Sequence, residues 1–128
     1  MRFLVDTHLL LWGAGFPGRL SQAARDVLED ADNTLMFSVL SVWEVAIKNS
    51  LGRPDFRTDP RIFRKRLMEN GFEEVVITSE HAATVAGLPA LHRDPFDRLL
   101  VAQAMAEGVT LLTADRRLAE YPVSVRRV

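Results

Sequence analysis

The sequence contains no cysteine among its 128 residues. That excludes a disulfide framework and any thiolate metal site, and it makes a reducing compartment, by default the cytoplasm, the expected setting of the chain. Long hydrophobic runs are missing as well. The stretch that most resembles a leader, MRFLVDTHLLLW, is broken by Asp6 and His8, and no later segment approaches the roughly 20 apolar residues of a membrane span. Neither export nor membrane insertion is expected. Nor does either sign of charge dominate: 16 basic against 17 acidic side chains leave a formal net charge of -1, so any polyanion partner must be held locally. The three histidines, His8, His81 and His92, show no ligand-pair spacing, and none is assigned as a metal ligand or catalytic base. With 48% apolar and 26% charged residues, the composition is that of an ordinary globular chain, expected to form one domain over residues 1–128.

What is present alternates. Short β-prone apolar runs at Arg2–Val5, Leu35–Val39, Glu74–Ile77, Val109–Leu112 and Val123–Val125 read as strands. Between them lie helical patterns at Ser21–Asp30, Val42–Leu51, Pro60–Asn70, Glu80–Leu88 and Pro95–Glu107, with Gly52, Gly71 and Gly108 where helices commonly stop. Parallel neighbours need long crossovers and helices supply them, so the alternation implies a three-layer α/β/α fold around a central, mostly parallel sheet of about five strands. The strands are continuously apolar, as burial on both faces requires. GAGFPG at Gly13–Gly18 superficially resembles a phosphate-cradling loop, but Pro17 interrupts it and no Lys-Ser/Thr follows.

Four acids each have a local explanation. Asp6, after the first strand, can cap a helix beginning near Thr7. Ser41 and Glu44 have the S-x-x-E spacing of a capping box. Asp94 suits an N-cap before Pro95, placing Asp97 in the first helical turn where its charge favours the helix dipole, and Asp115 can cap the turn Arg116–Glu120. Their joint position is what these readings leave unexplained. Asp6, Glu44 and Asp115 each follow a strand's carboxyl end, and the helix carrying Asp97 runs back across the sheet from that same edge. Four carboxylates on the rim where open parallel sheets bind ligands repel one another unless a cation joins them. Without Cys or paired His, an all-oxygen set suits a hard ion, Mg2+ with Mn2+ as substitute, which can activate water against a phosphodiester.

FLVDTHLLLW, SVWEVAIK, HRDPFDRLLVAQA and LLTADRRL resemble the four acidic motifs of PIN-domain ribonucleases, especially the VapC-type toxins of type II toxin–antitoxin pairs. The resemblance covers essentially the whole chain, and D-P-F-D-R-L-L-x-A-Q-A is its most specific element. It implies a PIN fold and a Mg2+- or Mn2+-dependent endoribonuclease in which Asp6, Glu44, Asp97 and Asp115 form the metal-binding, catalytic quartet. It further implies RNA as substrate, a small antitoxin protein as inhibitor and a homodimer as the usual unit. Thr7 and Thr113 match positions that orient a carboxylate or a bound water.

Further residues could take part. Asp94 could reach the metal shell as well as cap its helix, Arg98 and Arg116 could contact RNA phosphate or form surface ion pairs, and Lys48 has i,i+4 spacing to Glu44. The basic run Arg61–Arg66 reads as a solvated face or as a contact for RNA or antitoxin. Trp12 and Trp43 flank the rim in sequence. Two other functions compete: a catalytically inactive PIN-like partner-binding module, against which the intact quartet argues, and a receiver or haloacid-dehalogenase type phosphotransfer domain. The dehalogenase type typically has a second Asp two residues after the first, where this chain has His8.

Overall fold

In the computed structural model, which describes residues 1–128, all five strands form: β1 (Arg2–Val5), β2 (Thr34–Ser38), β3 (Glu73–Val75), β4 (Thr110–Thr113) and β5 (Val125–Arg127). Every pairing is parallel, in the order β3-β2-β1-β4-β5. β1 is therefore central, with Leu4 between Met36 and Leu111. The helices are α1 (Thr7–Gly15), α2 (Gln22–Glu29), α3 (Val39–Ser50), α4 (Pro60–Glu69), α5 (Ser79–Thr84) and α6 (Pro95–Glu107).

Successive strand residues point to opposite faces, so a continuously apolar strand feeds two layers at once. Phe3, Val5, Phe37 and Leu112 pack with Leu9 of α1, Val27 of α2 and Phe63 of α4. Leu4, Met36 and Leu111 pack on the other side with Leu100, Val101 and Ala104 of α6. Phe3, Leu4, Val5, Leu111 and Leu112 are wholly inaccessible to solvent, and burying such side chains contributes about 1.5–3 kcal/mol each. α3 leaves the end of β2 and serves both layers, Leu40 on one side and Val45 on the other.

Most boundaries shift by a residue or two from expectation, and three of the differences have a local reason. α3 starts at Val39 rather than Val42 because Ser38 caps it, its Oγ accepting the Leu40 N–H at 3.0 Å. Ser41 and Glu44 consequently lie inside the helix and form no capping box. α5 ends at Thr84 rather than Leu88, the chain tightening into a 3-10 turn at Val85–Gly87. β5 sits two residues beyond the expected Val123–Val125; Val125 pairs with Leu111, and the exposed Arg126 and Arg127 of this edge strand hide it from an apolar pattern. α6 spans Pro95–Glu107 as read, and Gly108 ends it in a left-handed conformation with φ +65°, its N–H returning to the Ala104 and Met105 carbonyls.

Gly108→Ala should lower the unfolding free energy by about 1–2 kcal/mol, the cost of holding a Cβ in the left-handed region. Denaturant titration with an unchanged m value checks this, and an unshifted midpoint would contradict it.

Candidate active site

Parallel pairing of β1 with β4 brings residues 107 positions apart into one hydrogen bond. The Thr113 hydroxyl donates to Asp6 Oδ2 at 2.6 Å, and the Thr113 Oγ1 in turn accepts the Asp115 N–H at 3.0 Å. The other Asp6 oxygen, Oδ1, accepts the His8 N–H at 2.9 Å and thereby caps α1. The capping explanation of Asp6 is thus correct but incomplete, since a cap needs only one oxygen. Burial pushes the Asp6 carboxyl above its ordinary range, against the pull of these hydrogen bonds. Thr113 holds a carboxylate as the resemblance implied. Thr7 does not: its hydroxyl pairs with the Ser41 hydroxyl at 2.8 Å, tying α1 to α3.

Glu44 projects from α3 and is 3% exposed. Its Oε2 takes the Lys48 ammonium, the expected i,i+4 partner, whose Nζ lies 4.9 Å from the Phe56 ring centre and 5.4 Å from that of Phe96. Asp97 lies in the first turn of α6, beyond Asp94, whose Oδ1 caps the helix through the Phe96 N–H at 2.9 Å. Asp115 follows β4 and is gripped by Arg117, Nε on Oδ1 at 3.2 Å and Nη2 on Oδ2 at 3.0 Å. Although burial pushes the Asp115 carboxyl up, Arg117 brings it below the usual value.

Asp97 has no such cation. Burial, then the charges of Asp6, Asp94, Glu44 and Asp115, push its carboxyl up to about 8. Asp6, Glu44, Asp115 and Asp94 therefore all stand within electrostatic reach of Asp97, at the edge where the strand ends lead. A carboxyl kept protonated by burial and by crowding among like charges releases its proton readily to a divalent cation, and the carboxylates gathered here offer that cation only oxygen. The donor set fits Mg2+ or Mn2+.

Several expectations change. Arg98 is no free phosphate contact: its guanidinium donates to the carbonyls of Pro89 at 2.9 Å and Val85 at 3.2 Å and to the Tyr121 hydroxyl at 3.3 Å. Arg116 is exposed, and Arg117, overlooked in the sequence, is the arginine that pairs with an acid. His92, given no role by spacing, enters the cluster from the loop before α6, Nε2 lying 3.2 Å from Asp97 Oδ2 and 3.7 Å from Asp115 Oδ2. Only the His-x-Asp start of HRDPFD could have signalled it. Gln103, buried on α6, accepts the Ser38 hydroxyl and pins α6 to the start of α3. Trp43 is half exposed and leans on Phe96, ring centres 4.9 Å apart.

The basic side chains of the run, Arg61, Arg64, Lys65 and Arg66, are all exposed, as a solvated face requires. Phe63 and Leu67 enter the core, Arg64 binds Glu74 at 2.6 Å, and Arg66 stands with Arg25 at an apolar groove of about 530 Å³ lined by Leu20, Leu28 and Phe72. None of the acidic quartet lines that groove.

Against known proteins, the PIN domain family profile matches residues 3–123. The chain is 35% identical over 127 residues to "Ribonuclease VapC22" of Mycobacterium tuberculosis (strain ATCC 25618 / H37Rv), covering 95% of this chain and 96% of that protein. Among solved structures, a chain of VapBC2 from Rickettsia felis bound to a promoter DNA fragment superposes with a TM-score of 0.74 at 14% identity, covering 100% of this chain and 99% of that one. DNA-bound VapBC from Salmonella typhimurium gives 0.67 at 11% identity, with 99% and 98% covered. At such identities the structures speak for the fold.

Because the folded state holds the Asp97 proton far more tightly than an unfolded chain does, its contribution to stability is full below about pH 4 and is lost as pH rises toward 8. In chelator, unfolding free energy should fall across that window by an amount on the order of a few kcal/mol. Asp97→Asn should flatten the fall, and saturating Mg2+ should reverse it. A chelated wild-type protein whose stability rises from pH 5 to pH 8 would contradict this assignment.

Proposed function

The chain belongs to the PIN-domain family, and from that footing we propose that it is an endoribonuclease of the VapC type that hydrolyses RNA phosphodiester bonds. The observation that carries the reading is the gathering of Asp6, Asp94, Glu44 and Asp115 around Asp97, whose carboxyl is pushed up to about 8 by burial first and then by their charges. Asp6, Glu44, Asp97 and Asp115 would hold Mg2+ or Mn2+, which when bound supplies the positive charge that activates water and offsets the leaving oxygen. Thr113 and the His8 N–H fix Asp6 for that role, Lys48 steadies Glu44, and Arg117 steadies Asp115. To exposed Arg116, which follows Asp115, we assign a contact with RNA phosphate, and half-exposed Trp43 offers a face on which an unpaired base can stack.

The name of the Mycobacterium relative supports the ribonuclease reading, and the VapBC neighbours support a small antitoxin as partner. The apolar groove beside Arg25 and Arg66 suits such a partner's amphipathic segment with acidic flanks. A homodimer is the assembly we assign.

Asp6→Asn should abolish Mg2+- or Mn2+-dependent cleavage of a structured RNA panel while leaving helix content unchanged, since the amide oxygen can still accept the capping His8 N–H. Retained cleavage would remove Asp6 from the reaction. Absence of metal-dependent cleavage by folded wild-type protein would favour an inactive partner-binding module instead.

A further inference from the structure

His92 is the one buried polar side chain in the structure whose nitrogen has no hydrogen-bond partner. Its side chain is 6% exposed, and Nε2 points between Asp97 and Asp115 at 3.2 and 3.7 Å, close to Asp97 Oδ2 but not aligned with it. Orphaned buried nitrogens are rare enough to need a reason. The other ring nitrogen supplies one. Nδ1 accepts the Asp94 backbone N–H at 3.1 Å, so Nδ1 carries its lone pair and the ring proton sits on Nε2.

This tautomer decides between two roles. An imidazole that ligates an ion through Nε2 must offer its lone pair there and move the proton to Nδ1, where it would meet the Asp94 N–H head on. Nε2–H is therefore a donor, and what it faces are two carboxylate oxygens. Ligating carboxylates are themselves commonly hydrogen-bonded, and losing such a partner typically weakens metal affinity 10–100-fold.

We propose that His92 is a positioning residue whose fixed Nε2–H holds the Asp97 carboxylate by Oδ2 and leaves its other oxygen to the ion. This rests on reading the acids as an ion site. The Asp94 peptide sets the tautomer, and the fold sets the ring: burial leaves the imidazole no solvent to turn toward. Asp97 is the acid with no cation of its own, so it is the one whose orientation most needs a neutral donor.

Two measurements independent of RNA cleavage test this. Long-range nitrogen–proton NMR of the wild-type protein should show His92 with Nε2 protonated and Nδ1 bare; the opposite tautomer overturns the role. Calorimetric titration with Mn2+ should show His92→Phe binding at least about tenfold more weakly than wild type. His92→Gln, whose amide N–H falls near the same point, should recover part of the loss. Equal affinity of His92→Phe and wild type overturns the proposal while leaving the ion site standing. Pulsed EPR of Mn2+-loaded, 15N-histidine-labelled protein should show no directly bonded nitrogen, and a bonded nitrogen would make His92 a ligand instead. No Mn2+ uptake by wild-type protein would overturn the ion site, and this role with it, whatever the NMR shows.

Discussion

The burial of one carboxylate, Asp6, at the end of the central strand is the constraint around which the rest is arranged. A charge 95% removed from solvent is tolerable only where hydrogen bonds replace the lost water. Two do so: the His8 N–H is local and comes free with the start of α1, whereas the Thr113 hydroxyl arrives from the far end of the chain. The second exists only if β4 lies beside β1 in parallel register, with Leu112 opposite Val5. The strand order β3-β2-β1-β4-β5 is what makes this possible, since the chain must cross from β3 over β2 and β1 to reach β4. That crossing is α5 and α6, and it also lands Asp97 at the same edge. Topology and site are therefore one requirement viewed twice.

Positive charge is distributed unevenly around this edge, and the unevenness has chemical meaning. Glu44 has Lys48, Asp115 has Arg117, and Asp6 has its two donors. Asp97 has no lysine or arginine paired to it, and burial together with the charges of the other acids raises its carboxyl to about 8. A protein seeking only stability would place an arginine at that point. Instead the nearest arginine in sequence, Arg98, is turned away and tied to the Pro89 and Val85 carbonyls. The gap in protein charge is local, and it coexists with a net charge of only -1 over the chain. An uncompensated acidic pocket repels a polyanion; the same pocket with a divalent ion attracts one.

The layers were legible in the sequence because the governing signal is one-dimensional: FLV, LMF and TLL are apolar without interruption, and only a sheet covered on both faces buries such runs. The quartet was legible because strand ends and helix starts locate the carboxyl edge without coordinates. Residues whose role depends on where a side chain turns were not. Ser41 shares the capping spacing with Glu44, yet Ser38 took the cap and left Ser41 to Thr7. Arg116 and Arg117 are adjacent and indistinguishable by pattern, and only the turn after β4 selects Arg117. β5 escaped because an edge strand needs an apolar face on one side only.

HRDPFDR shows why a short motif can be more specific than its chemistry requires. Asp94 acts twice, its carboxylate capping α6 and its peptide N–H setting the His92 ring. Pro95 removes a donor that a helix start cannot satisfy and fixes the backbone for the turn carrying Asp97. Phe96 lies beneath Lys48 and Trp43, so it holds the cation assigned to Glu44 on a different helix. Arg98 fastens this first turn to the segment from Val85 to Pro89 and to Tyr121. Of the seven residues Asp97 is the proposed ligand, and His92, Asp94, Pro95, Phe96 and Arg98 hold it or one of its neighbours in place. Substituting any of these would displace a neighbour before it altered a ligand, which is why the segment reads as a unit rather than as an aspartate with flanks.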